Sequence, residues 1–70
     1  MKEVVSTMAG TVLHVLVSEG DHIDAGKEVI MLESMKMEIP VESPISGTVK
    51  EIRVSSGEFV NEGDILMILE

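Results

Sequence analysis

The chain repeats itself at a fixed spacing of 37 residues, and this repeat constrains the fold more than any other feature of the sequence. All six glycines form pairs at that spacing: Gly10 with Gly47, Gly20 with Gly57, and Gly26 with Gly63. Residues 8–33 align with residues 45–70 without a gap, and nine of the 26 aligned positions are identical, against roughly one or two for unrelated sequences of ordinary composition. The two repeats are therefore expected to form the same structural unit, joined by an unrepeated segment, residues 34–44.

Length and charge exclude several classes of function. Seventy residues allow one domain, residues 1–70, with a core too small to enclose a deep active site. A net charge of -8 with only five Lys and Arg opposes binding to nucleic acid. The sequence has no cysteine, no apolar run of transmembrane length and no signal-peptide pattern. We therefore expect a soluble, monomeric, cytoplasmic carrier or binding module that does not bind membranes and is not itself an enzyme.

The apolar pattern predicts an all-β fold. Apolar segments of four to eight residues alternate with glycine-bearing turns, and no segment keeps a helical period. In each repeat the residues expected to face the core step by three and then by two: Val12, Val15 and Val17, then Val49, Ile52 and Val54. Since strands have a period of two, the extra residue predicts a β-bulge near residues 13–14 and again near residues 50–51.

The repeat also predicts how the strands pack. Two copies of a four-stranded unit that cannot bury its apolar face alone should form a flattened barrel or sandwich of two four-stranded sheets with approximate two-fold symmetry. The joining segment reads as a hairpin in which Met37, Ile39 and Val41 face the core. Pro40 lies between them and predicts an edge strand, since proline cannot donate a backbone hydrogen bond. Lys36 is expected to project into solvent from the turn.

This hairpin and its flanking segments resemble a known family. The run Glu33-Ser34-Met35-Lys36-Met37-Glu38 closely resembles the Ala-Met-Lys-Met attachment motif of biotinyl domains, with Ser34 where Ala is usual. The framework of that family is also matched by Gly10-Thr11-Val12, Glu19-Gly20-Asp21, Ser46-Gly47-Thr48-Val49 and Gly57-Glu58-Phe59-Val60. The chain is therefore similar over its whole length to biotinyl/lipoyl domains. The short Gly20–Gly26 segment implies that a thumb insertion is absent. In length and in Met8-Ala9-Gly10 the chain is most similar to the small stand-alone attachment proteins, and a fragment of a larger carboxylase stays an alternative.

The resemblance implies a function and its residues. It implies that Lys36 carries biotin through an amide bond and that Glu33, Ser34, Met35 and Met37 are recognised by a biotin protein ligase. The chain would then be a biotin carboxyl carrier that shuttles carboxyl groups between biotin carboxylase and carboxyltransferase partners. A solvated lysine amine is protonated at neutral pH, so Lys36 is not activated by its own surroundings. This favours modification by a separate ligase over catalysis by the chain itself, and no catalytic residue is predicted.

Two other functions stay open from the sequence. A lipoyl carrier uses the same fold and lysine position, and acceptance of both biotin and lipoate is an alternative, although Met35-Lys36-Met37 favours biotin over the Asp-Lys-Ala typical of lipoyl domains. An unmodified adaptor module would not need Lys36 at all. His14 and His22 have no third ligand at metal-binding spacing, so we predict no metal site.

Overall fold

The computed structural model describes residues 2–70, which form eight β-strands and no helix. The strands are β1 (Lys2–Val5), β2 (Gly10–Val15), β3 (His22–Ile23), β4 (Glu28–Ser34), β5 (Met37–Glu42), β6 (Gly47–Ile52), β7 (Phe59–Val60) and β8 (Ile65–Leu69). Turns at residues 19–20 and 25–26 recur at residues 56–57 and 62–63, at the predicted spacing. The all-β prediction is confirmed.

The strands form two four-stranded antiparallel sheets. One has the order β5-β4-β2-β7 and is called the hairpin sheet, because it contains the hairpin of β4 and β5; the other has the order β1-β8-β6-β3 and is called the counterpart sheet. Each short strand lies in the sheet of the other repeat: β7 pairs with β2, and β3 pairs with β6. The repeats are thus interlocked, and neither can complete a sheet alone.

One apolar core lies between the two sheets. Its fully enclosed side chains come from both repeats, and several are pairs at the spacing of 37: Val12 with Val49, Val29 with Leu66, Ile30 with Met67, and Leu32 with Leu69. The core contains no aromatic side chain, because Phe59 is exposed. Branched aliphatic residues fit the pleated surface of a sheet, so this composition suits two sheets that pack face to face.

Both predicted bulges are confirmed. The pairing of β2 with β4 shifts register between Val12 and His14, and the pairing of β6 with β8 shifts between Val49 and Glu51. The shift returns later residues to the core side after the step of three. The six residues predicted to face inward are buried or packed against the core: Val12, Val15, Val17, Val49, Ile52 and Val54.

The repeat extends further than the sequence alignment indicated. Strand β1 pairs with β8 as β5 pairs with β4, so residues 2–5 occupy the position of residues 39–42. Val4 and Val41 are both buried, and Ser6 and Ser43 each donate a hydroxyl hydrogen bond of 2.6 Å to the carbonyl two residues ahead. The expectation that residues 34–44 have no counterpart therefore holds only for their first part, the turn and the start of β5.

The joining segment is otherwise as predicted, with one exception. Pro40 lies in β5, an edge strand, as expected. Val41 is buried and Ile39 half-buried, but Met37 is 60% exposed, so its predicted place in the core is wrong. Met37 does lie on the core side of β5. It pairs with Ser34, which is two residues after the buried Leu32 and therefore on the same side of β4. The position lies past the end of the packed core, so the side chain stays exposed.

Candidate functional site

Met35 and Lys36 form a two-residue turn between β4 and β5, in which Ser34 pairs with Met37. Both turn residues have positive φ, 52° for Met35 and 64° for Lys36. Positive φ at both positions is the type I′ geometry that matches the twist of a hairpin and is usually supplied by Asn-Gly. For a residue with a side chain, this conformation costs about 1–2 kcal/mol. The use of Met and Lys here points to a role for their side chains.

The side chains of the turn are open to solvent. Met35 is 91% exposed, and Lys36 and Met37 are also exposed. Within residues 2–70, Lys36 makes neither an ion pair nor a side-chain hydrogen bond. Its ammonium group is therefore held at a fixed backbone point without being tied to the surface. The arrangement offers a mobile primary amine on a rigid support, flanked by two thioether side chains.

Two carboxylates lie directly behind the turn. Glu33 of β4 and Glu38 of β5 are paired across the strands and are both exposed. Like charges directly opposite each other on a sheet are destabilising. The same row continues to Thr11 on β2 and to Phe59 on β7, so an exposed aromatic ring lies in line with the two carboxylates. Among the residues expected at the site, Ser34 is half-buried and the others are at the surface.

Gly10 supports the base of the hairpin. It is buried on β2, and a Cβ atom at this position would lie 2.8 Å from the backbone oxygen of Glu33. Such a contact is shorter than atoms tolerate, so the backbone of β4 would have to move. The close backbone approach occurs in both repeats, because Gly47 similarly faces the oxygen of Glu70 at 3.0 Å. The sequence had marked Gly10 as part of the repeat, but not as a support for the hairpin.

We expect Gly10→Ala to destabilise the fold by about 1–3 kcal/mol, the usual cost of forcing an extra methyl group into a packed site. Urea unfolding followed by circular dichroism would measure the change. Gly47→Ala is the matched comparison from the other repeat, since a Cβ atom there would lie 3.0 Å from the oxygen of Glu70 and 3.1 Å from the Cβ atom of Leu69, and its cost should be similar. A Gly10→Ala protein as stable as the wild type would show that β4 can move away freely.

The surface formed by residues 2–70 also has an open groove and a contact between a histidine and a carboxylate. An open groove of about 440 Å³ lies beside β7 and is lined by Arg53, Val54, Glu58, Phe59, Val60, Gly63, Asp64 and Ile65. Among residues 2–70 there is no group of three His, Cys, Asp or Glu side chains placed to hold a metal ion, and His22 instead lies 3.6 Å from Asp24. The described part of the chain also lacks a helix that is long and apolar enough to cross a membrane.

Comparison with known proteins places the chain among biotin-linked relatives. It is 55% identical over 40 residues to "Biotinylated protein TB7.3" of Mycobacterium tuberculosis, a match that covers 57% of this chain and 56% of that protein. It is 53% identical over 36 residues to the "Methylmalonyl-CoA carboxyltransferase 1.3S subunit" of Propionibacterium freudenreichii, which covers 51% of this chain and 29% of that protein. The chain thus spans little more than half the length of the first relative and less of the second.

The fold also recurs in a solved structure. The crystal structure of the Kluyveromyces lactis urea carboxylase superposes on 99% of this chain with a TM-score of 0.90 and 32% sequence identity, using 6% of that much longer chain. The two-sheet architecture predicted from the repeat is therefore that of a domain known within a carboxylase. A family model, Biotin_lipoyl, described as "Biotin-requiring enzyme", matches residues 2–69. Because this match spans nearly the whole sequence, the chain belongs to the Biotin_lipoyl family.

Proposed function

We propose that this chain is a biotin carboxyl carrier and that Lys36 is the residue to which biotin is attached. The observation that carries the proposal is the exposed amine of Lys36, which has no ion-pair partner among residues 2–70, at a turn whose backbone conformation is unfavourable for lysine. A carrier needs an attachment point that stays fixed while the attached group moves, and a two-residue turn on a four-stranded sheet meets that need. The biotinylated relative and the carboxylase that shares the fold support the same function.

The residues of the chain fit an acyl-transfer step carried out by a separate ligase. After losing its proton, the amine of Lys36 would attack the acyl carbon of biotin activated as an adenylate; the amide C–N bond forms, and AMP leaves with the electrons of the broken acyl–oxygen bond. Met35 and Met37 provide apolar contacts beside the amine, and Glu33, Ser34 and Glu38 surround the base of the turn. We infer that Glu33, Ser34, Met35 and Met37 are read by the ligase.

In the later reaction, the chain would keep the attachment point fixed while the attached biotin moves between partners. Bound biotin would supply a ureido nitrogen that accepts and donates a carboxyl group, while catalytic groups belong to the biotin carboxylase and carboxyltransferase partners. The 1.3S subunit match is consistent with such a division of labour between proteins. Lipoate as a second cofactor, a monomeric state and a cytoplasmic location stay predictions from the sequence.

Intact mass measurement of the protein purified from its native host tests the proposal. A mass increase equal to one biotinyl group, placed on Lys36 by fragmentation, is the expected result. A lipoyl increment on the same residue would redirect the function to acyl transfer. An unmodified chain that a biotin protein ligase also fails to label would overturn the carrier function and leave the adaptor alternative.

A substitution at Met35 separates ligase recognition from folding. We expect Met35→Gly to keep or raise the stability by up to about 1 kcal/mol, because glycine relieves the cost of positive φ but gains freedom in the unfolded chain. The kcat/KM of biotinylation should fall by about tenfold or more, since burying a methionine side chain against a partner contributes roughly 1.5–3 kcal/mol. Urea unfolding and initial labelling rates measure the two effects.

Met35→Leu is the control for this substitution, because it keeps an apolar side chain of similar volume and loses only the sulfur. Its labelling rate should stay close to that of the wild type. Equal labelling of the wild type and Met35→Gly would show that the ligase does not contact this side chain.

A further inference from the structure

The two-fold repeat provides an internal comparison between the outer faces of the two sheets. The same backbone occurs twice, so a difference between equivalent side chains is not required by the fold. We define the hairpin face as the outward side of the hairpin sheet and the counterpart face as that of the counterpart sheet. At equivalent positions, the hairpin face carries Leu13, His14, Leu16, Pro40 and Phe59, where the counterpart face carries Lys50, Glu51, Arg53, Glu3 and His22.

These five positions of the hairpin face carry no formal charge, whereas the same positions of the counterpart face carry four charged residues. Leu16 is 43% exposed and Phe59 is 63% exposed. At the position equivalent to Leu16 in the other repeat, Arg53 lies 3.9 Å from Glu51, as on an ordinary solvated surface. Phe59 pairs with Thr11, and Leu16 donates a backbone hydrogen bond to Val29, so the two exposed side chains lie toward opposite ends of β2. Exposed apolar side chains at positions that are charged in the other repeat favour an interaction surface.

Two carboxylate pairs lie on either side of the uncharged middle of this face along β4 and β5. Glu33 pairs with Glu38 at the turn end, and Glu28 pairs with Glu42 at the other end. Between them, Met31 is paired with both Pro40 and His14. All four glutamates are exposed.

At the Glu28–Glu42 pair the difference between the two faces is reversed, because there the hairpin face is charged and the counterpart face is apolar. There the counterpart face has Ile65 paired with Val5, and Val5 is 39% exposed. Charge is thus absent from the centre of the hairpin face and concentrated at the ends of its strands. Like-charged pairs placed directly opposite each other destabilise a sheet, so nothing in folding alone favours this arrangement.

We propose that the hairpin face is a docking surface for a protein partner with an apolar centre and a rim of Lys and Arg, and that this partner is a catalytic component of the carboxylase that receives the group carried on Lys36. This inference rests on the proposed function. The face is continuous with the turn through the row of Glu38, Glu33, Thr11 and Phe59. A partner bound there would therefore hold the lysine arm at its own active site.

Charge distinguishes this occupant from a second copy of the chain. Two hairpin faces brought together would place four glutamates against four glutamates, in a protein whose net charge is -8. Repulsion between like charges across an interface opposes such a dimer, whereas a basic rim would be attracted and steered into place. The association should therefore weaken as salt screens the charges.

The repeat also supplies the substitutions for a test. The variant Leu16→Arg with Phe59→His gives the hairpin face the residues that the same backbone already holds on the counterpart face. The matched control, His22→Phe with Glu51→His, makes the reverse exchanges at two counterpart-face residues that do not line the groove beside Phe59. Both proteins are fully biotinylated by purified ligase, and biotin content is verified by intact mass. Steady-state kinetics with the purified biotin carboxylase and carboxyltransferase components, each with the biotinylated chain as the varied substrate, then give KM and kcat.

For at least one component, the hairpin-face variant should raise KM about tenfold with kcat nearly unchanged, and the control should match the wild type. The wild-type KM should also rise between low and high salt. Equal KM values for the wild type and the hairpin-face variant with both components would overturn the proposal, as would equal effects of the two exchanges.

Two further results would show that the hairpin face binds something other than a carboxylase component, and either would overturn the proposal. One is a lower rate of biotinylation in the hairpin-face variant with unchanged carboxylase kinetics, which would assign the face to the ligase. The other is a dimer of the wild type that the same variant loses in analytical ultracentrifugation. Failure of the wild-type chain to accept biotin would instead refute the proposed function, so the two ideas fail by different observations.

Discussion

Lys36→Arg is expected to reduce biotin incorporation to background while the protein folds as the wild type does. Arginine keeps the positive charge and the long side chain at the turn, but its guanidinium group stays protonated and cannot attack an acyl carbon. Because Lys36 is exposed and makes no ion pair or side-chain hydrogen bond within residues 2–70, its replacement should change the free energy of unfolding by no more than about 0.5 kcal/mol. Labelling with a purified ligase, followed by intact mass, measures the loss.

The other lysines provide the control for this experiment. Lys27 is also exposed but lies in the turn before β4, so Lys27→Arg should be labelled like the wild type. Peptide mapping of the labelled wild type should find biotin on Lys36 alone. Full labelling of Lys36→Arg, or a biotinyl group on Lys2, Lys27 or Lys50, would refute the assignment of the site.

Leu32→Ala is expected to have the largest effect on stability. Leu32 is fully buried in β4, one residue before Glu33, and is packed in the core between the sheets. Truncating a buried leucine costs about 2–5 kcal/mol, because it removes apolar contacts and leaves a cavity. A domain of this size has a total stability of roughly 4–10 kcal/mol, so the melting temperature should fall by about 10–30 °C. Thermal unfolding followed by circular dichroism measures the shift.

The two-fold repeat and a conservative exchange provide controls for this prediction. Leu69 is equivalent to Leu32 and equally buried, so Leu69→Ala should cost a similar amount. Leu32→Met keeps the volume and should cost less than about 1.5 kcal/mol. A loss below about 1 kcal/mol for Leu32→Ala would mean that the core closes around the cavity, contrary to the close packing of the two sheets.

The sequence predicted the fold well because its irregularities are repeated. A single step of three among Val12 and Val15 could be read as an error in strand assignment, but the same step at Val49 and Ile52 indicates a bulge. Alternation predicts which side of a strand a residue faces, and it says nothing about how far the core extends. That is why Met37 was predicted to be buried although it lies past the end of the packed side chains.

Other features needed the strand pairing before they could be seen. The place of β1 as the equivalent of β5 was missed, since only Val4/Val41 and Ser6/Ser43 are identical between those short segments; extending the same spacing toward the start of the chain would have found it. The turn position of Lys36 followed from its motif, but the positive φ values did not. The alignment of Phe59 with Glu33 across β2 depends on register, which the sequence alone left undetermined.

The two-residue turn at Met35 and Lys36 has a geometric consequence for a carried group. Because Ser34 and Met37 are paired directly below it, the Cα atom of Lys36 is a stationary pivot relative to the whole β-sheet. A group at the end of the Lys36 side chain would therefore sample a hemisphere whose radius is the length of that side chain and the attached group, and motion of a loop would not extend this reach. Its local concentration at a partner's active site then depends on where the body of the protein is anchored. Catalytic centres farther apart than the arm can span would have to be served by moving the entire domain.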